Sequence, residues 1–177
     1  MGKWKIGILI ILVAVCLLGI HYFPRSHEVH TSGYKFHLGS EDSELVNMEP
    51  VDVILKGAIY HSIHNETYFE GYLVINDQVL DGVRISPDEM GRDKLYYLSD
   101  NTRYDIYGDI YVNKDFTEVV ITPYEYESDV SETLKWNSVT GSILVAPADN
   151  RETAVSEAKK LTRDFREKAG VHWSFNE

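Results

Sequence analysis

Apolar and polar positions change period along this chain, and each change predicts a different element. From Ile6 to Phe23 there is no period at all: IGILIILVAVCLLGIHYF is eighteen residues without a carboxylate, lysine or arginine. A segment apolar on every side predicts a helix in lipid rather than one lying on a core. At ~1.5 Å per residue, Trp4 to Phe23 reaches roughly 30 Å, the thickness of a bilayer's hydrocarbon. Trp4 at one end and Tyr22-Phe23 at the other suit the two interfaces. The expectation is a retained transmembrane anchor over 6–23. A cleaved secretory signal would show a shorter apolar region and a small-x-small site, which Leu18 to Tyr22 does not offer. A lipoprotein signal would lipidate Cys16, but Val15 stands where that motif wants Gly, Ala or Ser.

Residues 24–50 are polar and irregular, with Ser40-Glu41-Asp42-Ser43-Glu44 at their centre. Only Tyr34 to Leu38 alternates well enough for a short strand. The stretch reads as a stalk, extended by its own charge repulsion. Beyond Pro50 the period becomes two. Val51, Val53, Leu55, Gly57 and Ile59 share one face, and Phe69, Gly71, Leu73 and Ile75 share another. Val79–Ile85 and Lys94–Leu98 suggest further strands. Ile106, Gly108, Ile110 and Val112, the turn at Asn113-Lys114-Asp115, and Val119 with Ile121 form the clearest hairpin. A polar loop over 126–135 precedes a last apolar run, Val139–Ala146.

The period then becomes helical. Ala154, Ala158, Leu161, Phe165 and Ala169 recur at spacings of three and four, predicting one amphipathic helix over 150–169. Asp149 and Asn150 are both N-cap candidates, Asp149 with Glu152 has capping-box spacing, and Gly170 falls where a left-handed residue ends a helix. Val171–Phe175 suggests a closing edge strand. The expected fold class is α+β: an N-terminal transmembrane helix, then an antiparallel sheet of about five to seven strands with one C-terminal helix. The expected organisation is a cytoplasmic end (1–5), the anchor (6–23), the stalk (24–50) and an extracytoplasmic domain (51–177).

Charge sharpens this division. The formal net charge is −11, and all 28 acidic residues lie beyond residue 27, where 14 of the 17 Lys and Arg oppose them. Lys3 and Lys5 precede the apolar run, so the positive-inside rule puts the N-terminus in the cytoplasm and the acidic body outside the cell membrane. An acidic body argues against a nucleic-acid partner, which calls for a basic surface. One cysteine excludes an internal disulfide framework and a multi-cysteine zinc site.

Catalytic signatures are missing from the sequence. There is no G-x-S-x-G elbow, no phosphate-binding glycine loop and no calcium-loop spacing. His27–His30 and His61–His64 have H-x-x-H spacing, but His61–His64 sits at a strand end, where residues three apart point to opposite faces, and His27–His30 lies in the stalk with no rigid scaffold to fix its geometry, so neither metal nor cofactor is expected. Asn65-Glu66-Thr67 is a glycosylation sequon, meaningful only in a eukaryotic secretory pathway. Tyr60, Tyr72, Tyr107 and Tyr111 alternate opposite the aliphatic faces of three strands. On neighbouring strands they would form one aromatic patch suited to binding; the competing reading has them packing beneath the helix or in cross-strand pairs.

Two stretches carry a resemblance. Tyr107–Phe116 with Val119–Ile121, and Trp136–Gly141 followed by Ile143–Glu152, together with the N-terminal run, are similar to a group of small membrane-anchored extracytoplasmic proteins of Gram-positive bacteria with no assigned function. The similarity covers roughly residues 100–168. It implies an extracytoplasmic bacterial setting and a lone closing helix, and it transfers no catalytic residue. The expected function is a single-pass, membrane-anchored, non-enzymatic binding or accessory module with an envelope protein partner. The alternative is an extracytoplasmic hydrolase or metal-dependent enzyme assembled from scattered Asp, Glu and His.

Overall fold

The computed structural model describes residues 3–39, 48–62, 66–100, 102–126 and 134–175; the Ser40–Glu44 run, His64 and much of the 126–135 loop lie outside them. Helix α1 (Lys3–Tyr22) leads into β1 (Arg25–His37), β2 (Glu49–His61), β3 (Thr67–Ile75), β4 (Gln78–Ile85), β5 (Arg92–Ser99), β6 (Arg103–Val112), β7 (Val119–Pro123), β8 (Glu125–Tyr126), β9 (Leu134–Lys135) and β10 (Ser142–Ala146). Helices α2 (Arg151–Leu161) and α3 (Arg163–Ala169) follow. Eight strands form one antiparallel sheet in the order β4-β3-β2-β1-β10-β7-β6-β5, and β8 pairs with β9 separately. The α+β class and the antiparallel sheet are thus as expected, but the sheet has eight strands rather than five to seven, because β1 lies in the stretch read as a stalk.

The sheet is curled nearly into a barrel. β4 and β5 are consecutive in the chain yet sit at its two edges, and they pack against one another without being ladder neighbours. Twist accumulates across eight strands and brings the edges round until they meet. The loop 86–91 ties them at one end, where the Asp88 N–H donates to the Arg92 carbonyl at 2.9 Å. Inward-facing side chains fill the interior, among them Val53, Leu55, Phe69, Leu73, Leu95, Ile110, Ile121 and Leu144. A second core lies outside the barrel wall, where α2 and α3 cover Phe36, Tyr111, Val120, Ile143 and Val145 around the fully buried Trp173.

The expected stalk over 24–50 is corrected by the pairing of β1. This strand bonds to β2 from Arg25↔Ile59 to Lys35↔Glu49, and to β10 from Tyr34↔Val145 to His37↔Ser142. Its alternation is hard to read because it changes buried face partway. Val29 packs toward the barrel interior, whereas Tyr34, Phe36 and Leu38 pack beneath the helices. Gly33 sits at the change, where a Cβ would lie 1.9 Å from the Val145 carbonyl oxygen. Close approach of two backbones requires glycine there.

The C-terminal helix differs in detail. It is two helices: Thr162 is buried, its hydroxyl donates to the Ala158 carbonyl at 2.6 Å, and it closes α2 before α3 begins. Such back-bonding bends helices. The cap is Asn150, whose Oδ1 accepts from the Thr153 N–H at 3.0 Å while the Thr153 hydroxyl serves the Asn150 N–H. Asp149 and Glu152 do not form the box. Gly170 ends α3 with φ 64°. Val171–Phe175 is not a strand; it is an irregular cover seating Trp173 and Phe175 on the outer core.

α1 is helical where the anchor was expected. Ile8 to Val13 are all exposed, and six successive residues at ~100° each leave no direction polar. Among the described residues, however, no helix is long and apolar enough to cross a membrane. The transmembrane placement therefore rests on the amino-acid pattern.

Candidate site at the barrel seam

The four tyrosines expected to share a patch are dispersed. Tyr60 and Tyr72 do lie on the outer face of β2 and β3, but Tyr60 pairs with Tyr68 and Tyr72 with Lys56, four residues of register apart. Tyr107 is turned toward the interior, edge-on to Tyr97 at 6.4 Å. Tyr111 is fully buried under the helices, between Phe165 at 5.5 Å and Trp173 at 5.7 Å. The reason is a bulge: Leu95 pairs with Gly108 and Tyr96 with Ile106, so Tyr107 is the extra residue and the alternation of β6 reverses there. Burial first, and then the Tyr97 hydroxyl, raises the Tyr107 pKa; burial and the Asp109 charge raise that of Tyr111 above the usual phenol range.

A different aromatic surface forms where β4 meets β5. Tyr60 stacks on Tyr68 at 5.0 Å with planes 5° apart, and the Arg84 guanidinium lies 4.4 Å from the Tyr68 ring centroid. Arg84 is also one wall of a slot of about 340 Å³ along the seam, lined further by Gly82, Lys94, Tyr96 and Tyr104. Tyr96 and Tyr104 are exposed, at 43% and 62%. Gly82 has φ 61°, and a Cβ there would lie 3.1 Å from the Leu98 Cβ. Asp93 is occupied locally: its carboxylate accepts from the Ser86 and Lys94 N–H groups. Arg84 is loosely held, 3.5 Å from an exposed Glu70.

Beside the slot is a partly buried charge network. Asp109 accepts from Arg92 Nη2 at 3.0 Å and from Lys94 Nζ at 3.4 Å, and Lys94 donates to the Tyr124 hydroxyl at 2.7 Å. Arg92 stacks on Phe165 of α3 at 4.4 Å. Burial works against the Arg92 charge, but the hydrogen bond and charge of Asp109 outweigh it and hold its pKa above the ordinary value. Burial likewise opposes the Lys94 charge, and Tyr124 with Asp109 raises its pKa nonetheless. The network pins α3 to the sheet and holds the Lys94 stem at the slot wall.

A larger cleft, about 460 Å³, is lined by Pro123, Glu125, Lys135, Trp136 and Asn137. Its polar groups serve the local turn: Asn137 Oδ1 accepts from Val139 and Thr140, and Trp136 Nε1 donates to the Ser142 carbonyl. The seam slot, whose Arg84 and tyrosine rings are exposed to a ligand, is the better binding candidate.

Among the described residues the histidines do not converge. His27 points toward the barrel's floor, with Nε2 3.1 Å from the Phe116 carbonyl and its ring edge-on to Phe69, whereas His30 faces outward. Among the described residues no group of three His, Cys, Asp or Glu is placed to hold a metal ion. What the slot offers is ring faces and an exposed guanidinium, the means of stacking and charge-assisted hydrogen bonding. Tyr68 was legible from Tyr60 across one hairpin; Arg84, Tyr96 and Tyr104 were not, because β4 and β5 meet only through barrel curvature. No known protein family, curated sequence or solved structure matches this chain.

Proposed function

We propose that this protein is a single-pass membrane-anchored binding or accessory module, with α1 in the bilayer, the N-terminus in the cytoplasm and the barrel outside. The Gram-positive envelope is the setting implied by its resemblance, and an envelope protein is the partner class. The observation that carries the binding reading is the exposed arrangement of Arg84, Tyr96 and Tyr104 at the seam, with Arg84 stacked on the half-buried Tyr68. Tyrosine and arginine supply much contact area and directional hydrogen bonding, as at protein-binding centres. The anchor reading is supported by a segment of eighteen residues without a charge and by exposed apolar side chains all round the helix.

Two measurements test this. A C-terminal reporter active only in the cytoplasm stays silent under the proposed topology; activity sinks it. A photo-crosslinking residue at Tyr104 in the full chain, in its own membrane, yields a discrete adduct that Tyr96→Ala diminishes. An adduct insensitive to Tyr96, or none, removes the slot from the binding reading.

A further inference from the structure

The placement of β1 leaves almost no chain between helix and barrel. α1 ends at Tyr22 and β1 begins at Arg25, so only Phe23 and Pro24 intervene. Two residues reach at most ~7 Å. Phe23 is 73% exposed, as an interfacial aromatic would be. If α1 spans the membrane, the barrel end carrying Arg25 sits at the headgroups rather than on a stalk. Register identifies the rest of that end: Arg25 pairs with Ile59, Tyr60 with Tyr68, and Phe69 with Ile85. The Tyr60–Tyr68–Arg84 stack therefore lies at the membrane-proximal end, and the Asn76–Asp77 turn lies at the other.

We infer that the membrane-proximal end of the barrel is a lipid-contact surface on which Arg84, stacked on Tyr68, takes the phosphate of a phospholipid headgroup in the protein's own membrane. This rests on the anchored reading above. Tyrosine partitions to the interface, with its ring toward the acyl boundary and its hydroxyl toward water. A guanidinium presents a fork of donors matched to phosphate oxygens. Arg84 is available, being 61% exposed along its side chain and, among the described residues, opposed by Glu70 at 3.5 Å. The acidic body does not seek anionic lipid by long-range attraction; the two-residue tether holds the surface there, and Arg84 supplies a local contact. The upper part of the slot, at Tyr96 and Tyr104, remains open to a partner.

The test uses the full chain carrying Cys16→Ser, reconstituted in phosphatidylethanolamine–phosphatidylglycerol vesicles. One fluorophore is attached at Glu66→Cys or, separately, at Asp77→Cys; both residues are exposed. The β2 register separates these ends by eight residues, roughly 26 Å of strand, well beyond contact quenching. With nitroxide on the lipid headgroup, the label at 66 is expected to lose most of its fluorescence and that at 77 to keep most. Equal quenching at both positions overturns the seating. Arg84→Ala is expected to relieve part of the quenching at 66, and free inorganic phosphate to leave it unchanged. Unchanged quenching in Arg84→Ala, or reversal by phosphate, overturns the lipid-phosphate contact. Tryptophan fluorescence with brominated acyl chains reports the anchor separately, since of the three tryptophans Trp4 alone would reach the bilayer and be quenched. Its quenching alongside an unquenched label at 66 sinks the seating alone; its absence sinks the anchor and the seating together.

Discussion

Asp109 is the buried carboxylate among the described residues, and it is also the most constrained. Its oxygens face Arg92 and Lys94, whose side chains are 27% and 45% exposed. Removing it leaves Arg92 part-buried without its counterion. The cost of breaking a fully buried pair is discounted here for solvent screening of the cations, so Asp109→Ala should lower unfolding free energy by about 2 kcal/mol. Denaturant titration checks this, with Glu28→Gln as the exposed control, expected to lie within ~0.5 kcal/mol of the parent. Loss of the Asp109 carboxylate should also loosen α3, through the Arg92–Phe165 stack. Titration in the alkaline range has a definite sign. Lys94, Lys160, Tyr107 and Tyr111 all have folded pKa values raised above ordinary values of 10.5 for lysine and 10.0 for tyrosine. The folded state then holds more protons than the unfolded chain above pH 10, so stability is complete below that range and falls as pH rises through it. Melting temperatures across pH 8–12 should be flat and then decline; stability rising above pH 10 would contradict the assignment.

Among the elements, β1 carries most of the connectivity, because it joins the β2–β3–β4 meander to β10 and so to the β5–β6–β7 meander. Gly33 is its weak point. Gly33→Val would place side-chain atoms into the Val145 carbonyl and should cost about 3 kcal/mol or more. Circular dichroism and denaturant titration would show it; a variant as stable as the parent would mean that β1 and β10 separate readily. The same strand shows why pattern reading reached some elements and missed others. β2 and β3 keep one face inward along their length, so period two is visible in them, whereas β4 has a bulge between Leu80 and Val83. β1 buries Val29 inside and Phe36 outside, and its polar positions between make it resemble a linker. In β6 the bulge at Tyr107 reverses the faces, so two tyrosines in phase along the chain end on opposite sides of the wall.

For the molecule as a whole, the decisive event is the meeting of β4 and β5. Their facing edges lack the ladder pairing that holds every internal strand, so this seam is the barrel's least secured junction. Native-state hydrogen exchange should find β4 and β5 amides exchanging through local opening, while those of β1, β7 and β10 exchange only with global unfolding. Uniform protection across all eight strands would refute that ranking. Periodicity alone identified an apolar helix, a half-buried antiparallel sheet and an amphipathic C-terminal segment, since each depends on which neighbours a residue has along its own strand or turn. The candidate site depends on neighbours tens of residues away. Tyr60 and Tyr68 oppose one another across a short hairpin, but Arg84, Tyr96 and Tyr104 come together only when accumulated twist closes the sheet. Curvature and bulge position are properties of the packed sheet, and so the seam, the dispersal of the four tyrosines and the loss of the stalk were decided by tertiary structure.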